Sequence, residues 1–179
     1  MKAQRKIFGI LVLFFLMAGG GTVWFLKGLG DNRGYAPRQP FDFNHQLHAG
    51  QMQIPCKYCH YGVTRTRAAI LPGLKICMNC HSVVAGDKPK IQKLKKMFAA
   101  GEEVVWTKVH DLPDFVYFSH WQHIAANLDC ENCHGRVDKM KRVYQAKSLK
   151  MGWCLDCHRG QDKDGKPYKG PQDCNQCHQ

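Results

Sequence analysis

The motif Cys-x-x-Cys-His occurs five times in this 179-residue chain and consumes all ten of its cysteines. The copies are Cys56-Cys59-His60, Cys77-Cys80-His81, Cys130-Cys133-His134, Cys154-Cys157-His158 and Cys174-Cys177-His178. Two thiols separated by two residues can add to the two vinyl groups on one edge of a haem. The His that follows is then held beneath the iron as its proximal ligand. A structural zinc needs two cysteine pairs or added His ligands, but nothing in its chemistry requires a His after every pair. A disulfide framework predicts no particular residue after a cysteine. The expectation is therefore five covalently attached haem c groups.

The motifs lie in a duplicated frame. Phe43 to His60 and Phe118 to His134 have the same parts in the same order: a Phe, a His two residues on, a second His three further, a short spacer and CxxCH. Each copy is followed by a second CxxCH with a Leu-Lys pair ahead of it, Leu74-Lys75 before Cys77 and Leu149-Lys150 before Cys154. The fifth motif closes the chain outside this duplication.

Haem content bounds the fold. Five haems after residue 30 leave roughly thirty residues each, too few for a conventional hydrophobic core. The porphyrins must be the core, wrapped by short helices and loops: a mainly α chain with little regular secondary structure. The formal charge of +12 would ordinarily point to nucleic acid or acidic lipid. Ten haem propionates offset most of it, so nucleic-acid binding is not expected.

The N-terminus carries Lys2, Arg5 and Lys6 and then no charge from Ile7 to Leu26. That run is long enough to span a bilayer, and the preceding positive charges place the N-terminus in the cytoplasm. A cleaved signal peptide, cut near Ala18 to Gly21, is the rival, but the apolar run continues through Val23, Trp24, Phe25 and Leu26. The expected organisation is a basic N-terminus (1–6), a single transmembrane anchor (7–27), a Gly- and Pro-rich tether (28–40) and a pentahaem domain (41–179) outside the cytoplasmic membrane of a bacterium. Within that domain, repeat one covers 41–84, a connecting segment 85–117, repeat two 118–160 and the fifth haem 161–179. In the connecting segment, Ile91, Leu94 and Phe98 at helical spacing predict a helix over 87–100, and Pro113 argues against one over 102–117. A polar connector, 160–172, leads to the last motif.

Ten histidines are present and five are proximal. The others, His45, His48, His110, His120 and His123, equal the irons in number and are the candidate distal ligands. Two histidines three apart share one side of a helical turn, too close to serve both faces of one haem, so each of a pair is expected to serve a different haem. His110 stands alone in KVHDLPDFVYF. As the fifth distal ligand it competes with Met140 and Met151, and its other reading is a buried hydrogen-bonded histidine.

FxHxxH followed by two CxxCH motifs resembles the cytochrome c3 and c7 class of multihaem electron carriers. The longer strings VHDLPDFVYFSHWQHI, CENCHG and SLKMGWCLDCHR resemble the pentahaem membrane-anchored subunit of alternative complex III. That resemblance implies an electron-relay subunit facing the periplasm. Quinol would be oxidised in integral membrane and iron–sulfur partner subunits, and the acceptor would be another cytochrome c or a terminal oxidase. Related quinone reductase complexes carry a similar multihaem subunit. Six-coordinate irons leave no open site, so no catalytic residue of its own is expected. A multihaem reductase with one vacant iron, and a stand-alone small quinol dehydrogenase, are the competing functions.

Overall fold

The computed structural model describes residues 2–160 and 168–178. The chain divides into two compact units, residues 1–31 and 32–179. The first is helix α1 (Lys2–Gly28). Its stretch Lys6–Leu26 is 21 residues long and apolar enough to cross a membrane. At about 1.5 Å per residue it covers roughly 30 Å, the thickness of a hydrocarbon core. Gly19, Gly20 and Gly21 would each weaken a helix in water by about 1 kcal/mol relative to alanine. In lipid, where a backbone amide finds no other partner, the helix is the form that satisfies them.

The second unit is built from short pieces. Helices α2 (Cys56–Cys59), α3 (Leu74–His81), α4 (Pro89–Ala99), α5 (His120–Ala125), α6 (Cys130–His134) and α7 (Met151–His158) alternate with a π-helical turn at Gln46–Gln51 and 3₁₀ turns at Tyr61–Thr64, Val137–Lys139 and Cys174–Gln176. There is no strand among the described residues; an isolated antiparallel bridge joins Val116 to His178. The fold is thus mainly helical with little regular structure. Each of the first four motifs lies on its own helix, where cysteines three apart share a face.

The buried apolar side chains among the described residues are Val63, Leu74, Leu94 and Met140. Four such groups are far short of a core for a chain of this size. The most buried side chain is polar: Gln145, 1% exposed. Its backbone accepts from Gly34 and donates to Tyr35. Its Oε1 accepts from the Asp111 amide at 3.1 Å, and its Nε2 donates to the carbonyls of Lys147 and Ser148.

Two segments differ in detail from the sequence reading. The stretch expected as a tether is bound to the second unit from Gly34 onward. Besides the Gln145 bonds, Gln39 makes a reciprocal pair with the backbone of Thr107, Nε2 donating at 2.8 Å and Oε1 accepting at 2.9 Å. The predicted helix of the connecting segment runs from Pro89 to Ala99 and buries Leu94, but Phe98 is exposed. Its lysines hold it at the edge: Lys90 pairs with Asp42 at 3.0 Å and Lys95 donates to the Ser82 carbonyl. Residues 104–110 form no helix. The connector expected over 160–172 lies outside the described residues from 161 to 167.

Candidate haem-binding site

No disulfide joins any of the ten cysteines, and among the described residues no cluster of three or more His, Cys, Asp or Glu side chains could hold a metal ion. All ten thiols are thus unbridged, as covalent attachment to haem would require. The motifs are spatial neighbours in a particular order. Burial, followed by the Cys77 sulfur, raises the Cys59 thiol above its usual range, and the first two motifs also touch through Asn79, which donates to the Tyr58 hydroxyl at 3.0 Å. Burial and then Cys56 raise Cys130. Burial and then Cys154 and Cys157 raise Cys133 to about 11, while burial and then Cys177 raise Cys154. These influences make neighbours of the first and second, first and third, third and fourth, and fourth and fifth motifs.

The two FxHxxH segments present their rings alike. Phe43 lies 4.7 Å from His45, edge-on, and 4.4 Å from His48, stacked. Phe118 lies 4.8 Å from His120, edge-on, and 4.4 Å from His123. The phenylalanine orients both histidines of its pair, a role that its recurrence in both copies could have signalled from sequence.

Across from these rings stand proximal histidines. His48 and His81 have ring centres 6.2 Å apart, His120 and His134 6.3 Å with planes 2° apart, and His123 and His158 6.1 Å. A metal–imidazole bond of about 2 Å on each side, with about 1.1 Å more from nitrogen to ring centre, sets two imidazoles on one iron about 6.3 Å apart. The residues present therefore fit a haem between each of these three pairs. The two members of the second FxHxxH pair face different partners, as two irons near one segment would require. His60 is the largest charge influence on His45, which burial first and then His60 and His48 hold down to about 4.

Ring tautomers match as well. His60, His81 and His158 donate from Nδ1 to the carbonyls of Ile70 (3.1 Å), Val84 (3.1 Å) and Pro171 (2.6 Å). His48, His120 and His123 do so to Asn44 (2.9 Å), Arg67 (2.8 Å) and Ser119 (2.8 Å). A ring held through Nδ1–H keeps its Nε2 lone pair for a metal. These acceptors are backbone groups and leave no mark in the sequence. The buried His45 Nδ1, Trp106 Nε1 and Ser119 Oγ find no protein partner. An indole N–H can only donate, and a haem carboxylate is the chemistry that would satisfy it.

His110, the fifth spare histidine by count, stands apart from these pairs. Its Nε2 is 3.2 Å from Nδ1 of His134, with the rings perpendicular and their centres 4.3 Å apart. Two imidazoles at that separation cannot share one iron from opposite sides. Burial and then His110, His120 and His60 hold His134 down to about 3. A cavity of about 370 Å³ opens beside His110 and His120, with Arg67 and Phe118 also in its wall. At the last motif, the Tyr117 amide donates to the Cys177 carbonyl at 2.8 Å, and the Phe115 ring faces His178 at 5.6 Å. Met140 is buried and Met151 is exposed; Met140 Cε lies beside Gly135, next to the third motif.

This geometry and the motifs define a c-type multihaem cytochrome. Residues 116–179 match the family described as cytochrome c7 and related cytochrome c. The multihaem cytochrome c subunit of menaquinone reductase from Nitratidesulfovibrio vulgaris Hildenborough is 30% identical over 148 residues, a match covering 71% of this chain and 70% of that protein. The chain belongs to the cytochrome c7-like multihaem family, whose haem c is covalently bound.

Proposed function

We propose that this chain is a membrane-anchored pentahaem electron-relay subunit of a quinone-handling oxidoreductase. The observation that carries the reading is the set of three histidine pairs with ring centres 6.1 to 6.3 Å apart. Haem c supplies a one-electron ferric/ferrous couple at each site. Cysteines 56, 59, 77, 80, 130, 133, 154, 157, 174 and 177 attach the five groups. His60, His81, His134, His158 and His178 bind from the proximal side. His48, His120 and His123 close the distal side of the second, third and fourth sites, and His45 that of the first. Phe43 and Phe118 hold the distal rings, and backbone carbonyls fix the tautomers of His48, His120 and His123. The neighbouring attachment points would let electrons pass from each haem to the next nearby one.

Quinol chemistry belongs to partner subunits in this reading. Electrons leave a quinol-oxidising membrane assembly of the alternative complex III type and reach a periplasmic cytochrome or a terminal oxidase. The similarity to a menaquinone reductase subunit favours a second reading, in which the same relay runs electrons toward quinone. In either, α1 is a single-pass anchor and the haem unit lies outside the cytoplasmic membrane.

The test is the native mass of the haem-staining species after mild detergent extraction, with its co-migrating subunits identified. A large assembly containing polytopic membrane and iron–sulfur proteins is expected, and the chain alone should be inert toward a quinol analogue. A species near the chain's own mass that oxidises quinol would make it a dehydrogenase and end the relay reading.

A further inference from the structure

We infer that His110 is a positioning residue for His134 rather than a ligand to iron, and that the site at His178 takes its sixth ligand from a group other than histidine. The inference rests on the haem reading of the site. Its first ground is the shared pattern at the proximal rings. His60, His81 and His158 each donate Nδ1–H to a carbonyl. At His134 the acceptor in that place is Nε2 of His110. A nitrogen engaged in accepting that hydrogen bond has no lone pair left for a metal.

The second ground is what holds the loop. The amide of Asp111, the next residue, donates to Oε1 of Gln145, the most buried side chain of the unit. Gln145 also ties down residues 34–35 and 147–148, so the position of His110 is set by a fixed frame. A hydrogen-bond acceptor on the far nitrogen of a ligating histidine fixes its orientation and raises its basicity. A more basic axial imidazole favours the ferric iron and lowers the potential of that site.

The third ground is the count. With His110 engaged at His134, four distal histidines remain for five motifs, and the ring facing His178 is that of Phe115.

The experiment uses the full-length chain with its partners, unmutated and as His110→Ala and His110→Gln, read by quantitative spectroscopy of the oxidised haems and by redox titration. In the unmutated protein, bis-histidine signals should account for four irons; signals for five would overturn the assignment at His178. His110→Ala should keep every haem attached, add no high-spin iron, and raise one midpoint potential while the other four stay in place. His110→Gln, whose side-chain oxygen can still accept, should restore that potential toward its original value. One additional high-spin iron in His110→Ala would make His110 a ligand, and five unmoved potentials would make it a bystander. If His110→Ala does not mature, His110→Gln decides alone: all low-spin signals retained supports the positioning role, and loss of one overturns it. Absence of bis-histidine signals from the unmutated protein would instead sink the underlying haem reading.

Discussion

The two copies of the FxHxxH unit reach the same ring geometry by different backbones. In the second copy, His123 is seven positions before Cys130, and His120 and His123 sit on the short α-helix α5. In the first, His48 is eight positions before Cys56, and the extra residue is taken up in the π-helical turn Gln46–Gln51, with the Met52 amide reaching back to the Leu47 carbonyl. A π turn is how a helix absorbs one inserted residue, and such turns gather at functional sites. Yet Phe–His ring distances are 4.7 and 4.4 Å in one copy and 4.8 and 4.4 Å in the other. What the duplication keeps is the presentation of imidazoles; the helix beneath is adjustable.

The largest expected effects test that equivalence at the irons. His48→Ala and His123→Ala should each convert one low-spin haem to high spin with all five haems still attached, as should His120→Ala; spectroscopy of each variant checks this. An effect in one copy alone would break the symmetry. Next come the orienting rings. Phe43→Ala and Phe118→Ala should each lower stability by about 2–3 kcal/mol, since each removes an aromatic group touching two rings. Thermal unfolding of the holoprotein measures it, and a large difference between the two would show that one copy holds its histidines by other means.

Smaller effects sharpen where the copies part. The second has a support the first lacks, the Gln145 frame behind His110. Gln145→Ala leaves the Asp111 amide and the carbonyls of Lys147 and Ser148 without their partner, at about 1–2 kcal/mol in unfolding free energy. The smallest effect concerns two spacer residues, Gln53 and Asn127, each three positions before its first cysteine. Both are left-handed, at φ 53° and 58°. Asparagine tolerates that region and glutamine does not, so Gln53→Gly should stabilise by about 1 kcal/mol and Asn127→Ala should destabilise by a similar amount. Equal responses from both spacers would mean that their backbones are not equivalent.

Much of this was legible because haem attachment is written in side chains. CxxCH reports the dimensions of a porphyrin edge, and its recurrence with FxHxxH gave the mainly α, multihaem character before any coordinates. In the second copy, His120 and His123 face different proximal rings, the arrangement their spacing had suggested. What was hidden lies in groups without a residue signature: the carbonyls of Ile70, Val84, Arg67 and Pro171 that set ring tautomers belong to residues of unrelated type. For His110 the sequence left two readings open, a fifth distal ligand or a buried hydrogen-bonded histidine. Counting alone could not choose between them, because the loop that carries His110 is held by Gln145, thirty-five positions later in the chain, whose burial no periodicity foretells. The bonds from Gly34 and Gln39 likewise arise from distant partners, so a Gly- and Pro-rich stretch read locally looks like a free tether.

The central claim is that the histidine pairs of both copies close on iron. Quantitative paramagnetic resonance of the oxidised, detergent-extracted protein, referred to its measured chain concentration, tests it most directly. The account expects five ferric haems per chain, four of them low-spin with two imidazole ligands. Fewer than five haems, or a majority of high-spin irons, would contradict it.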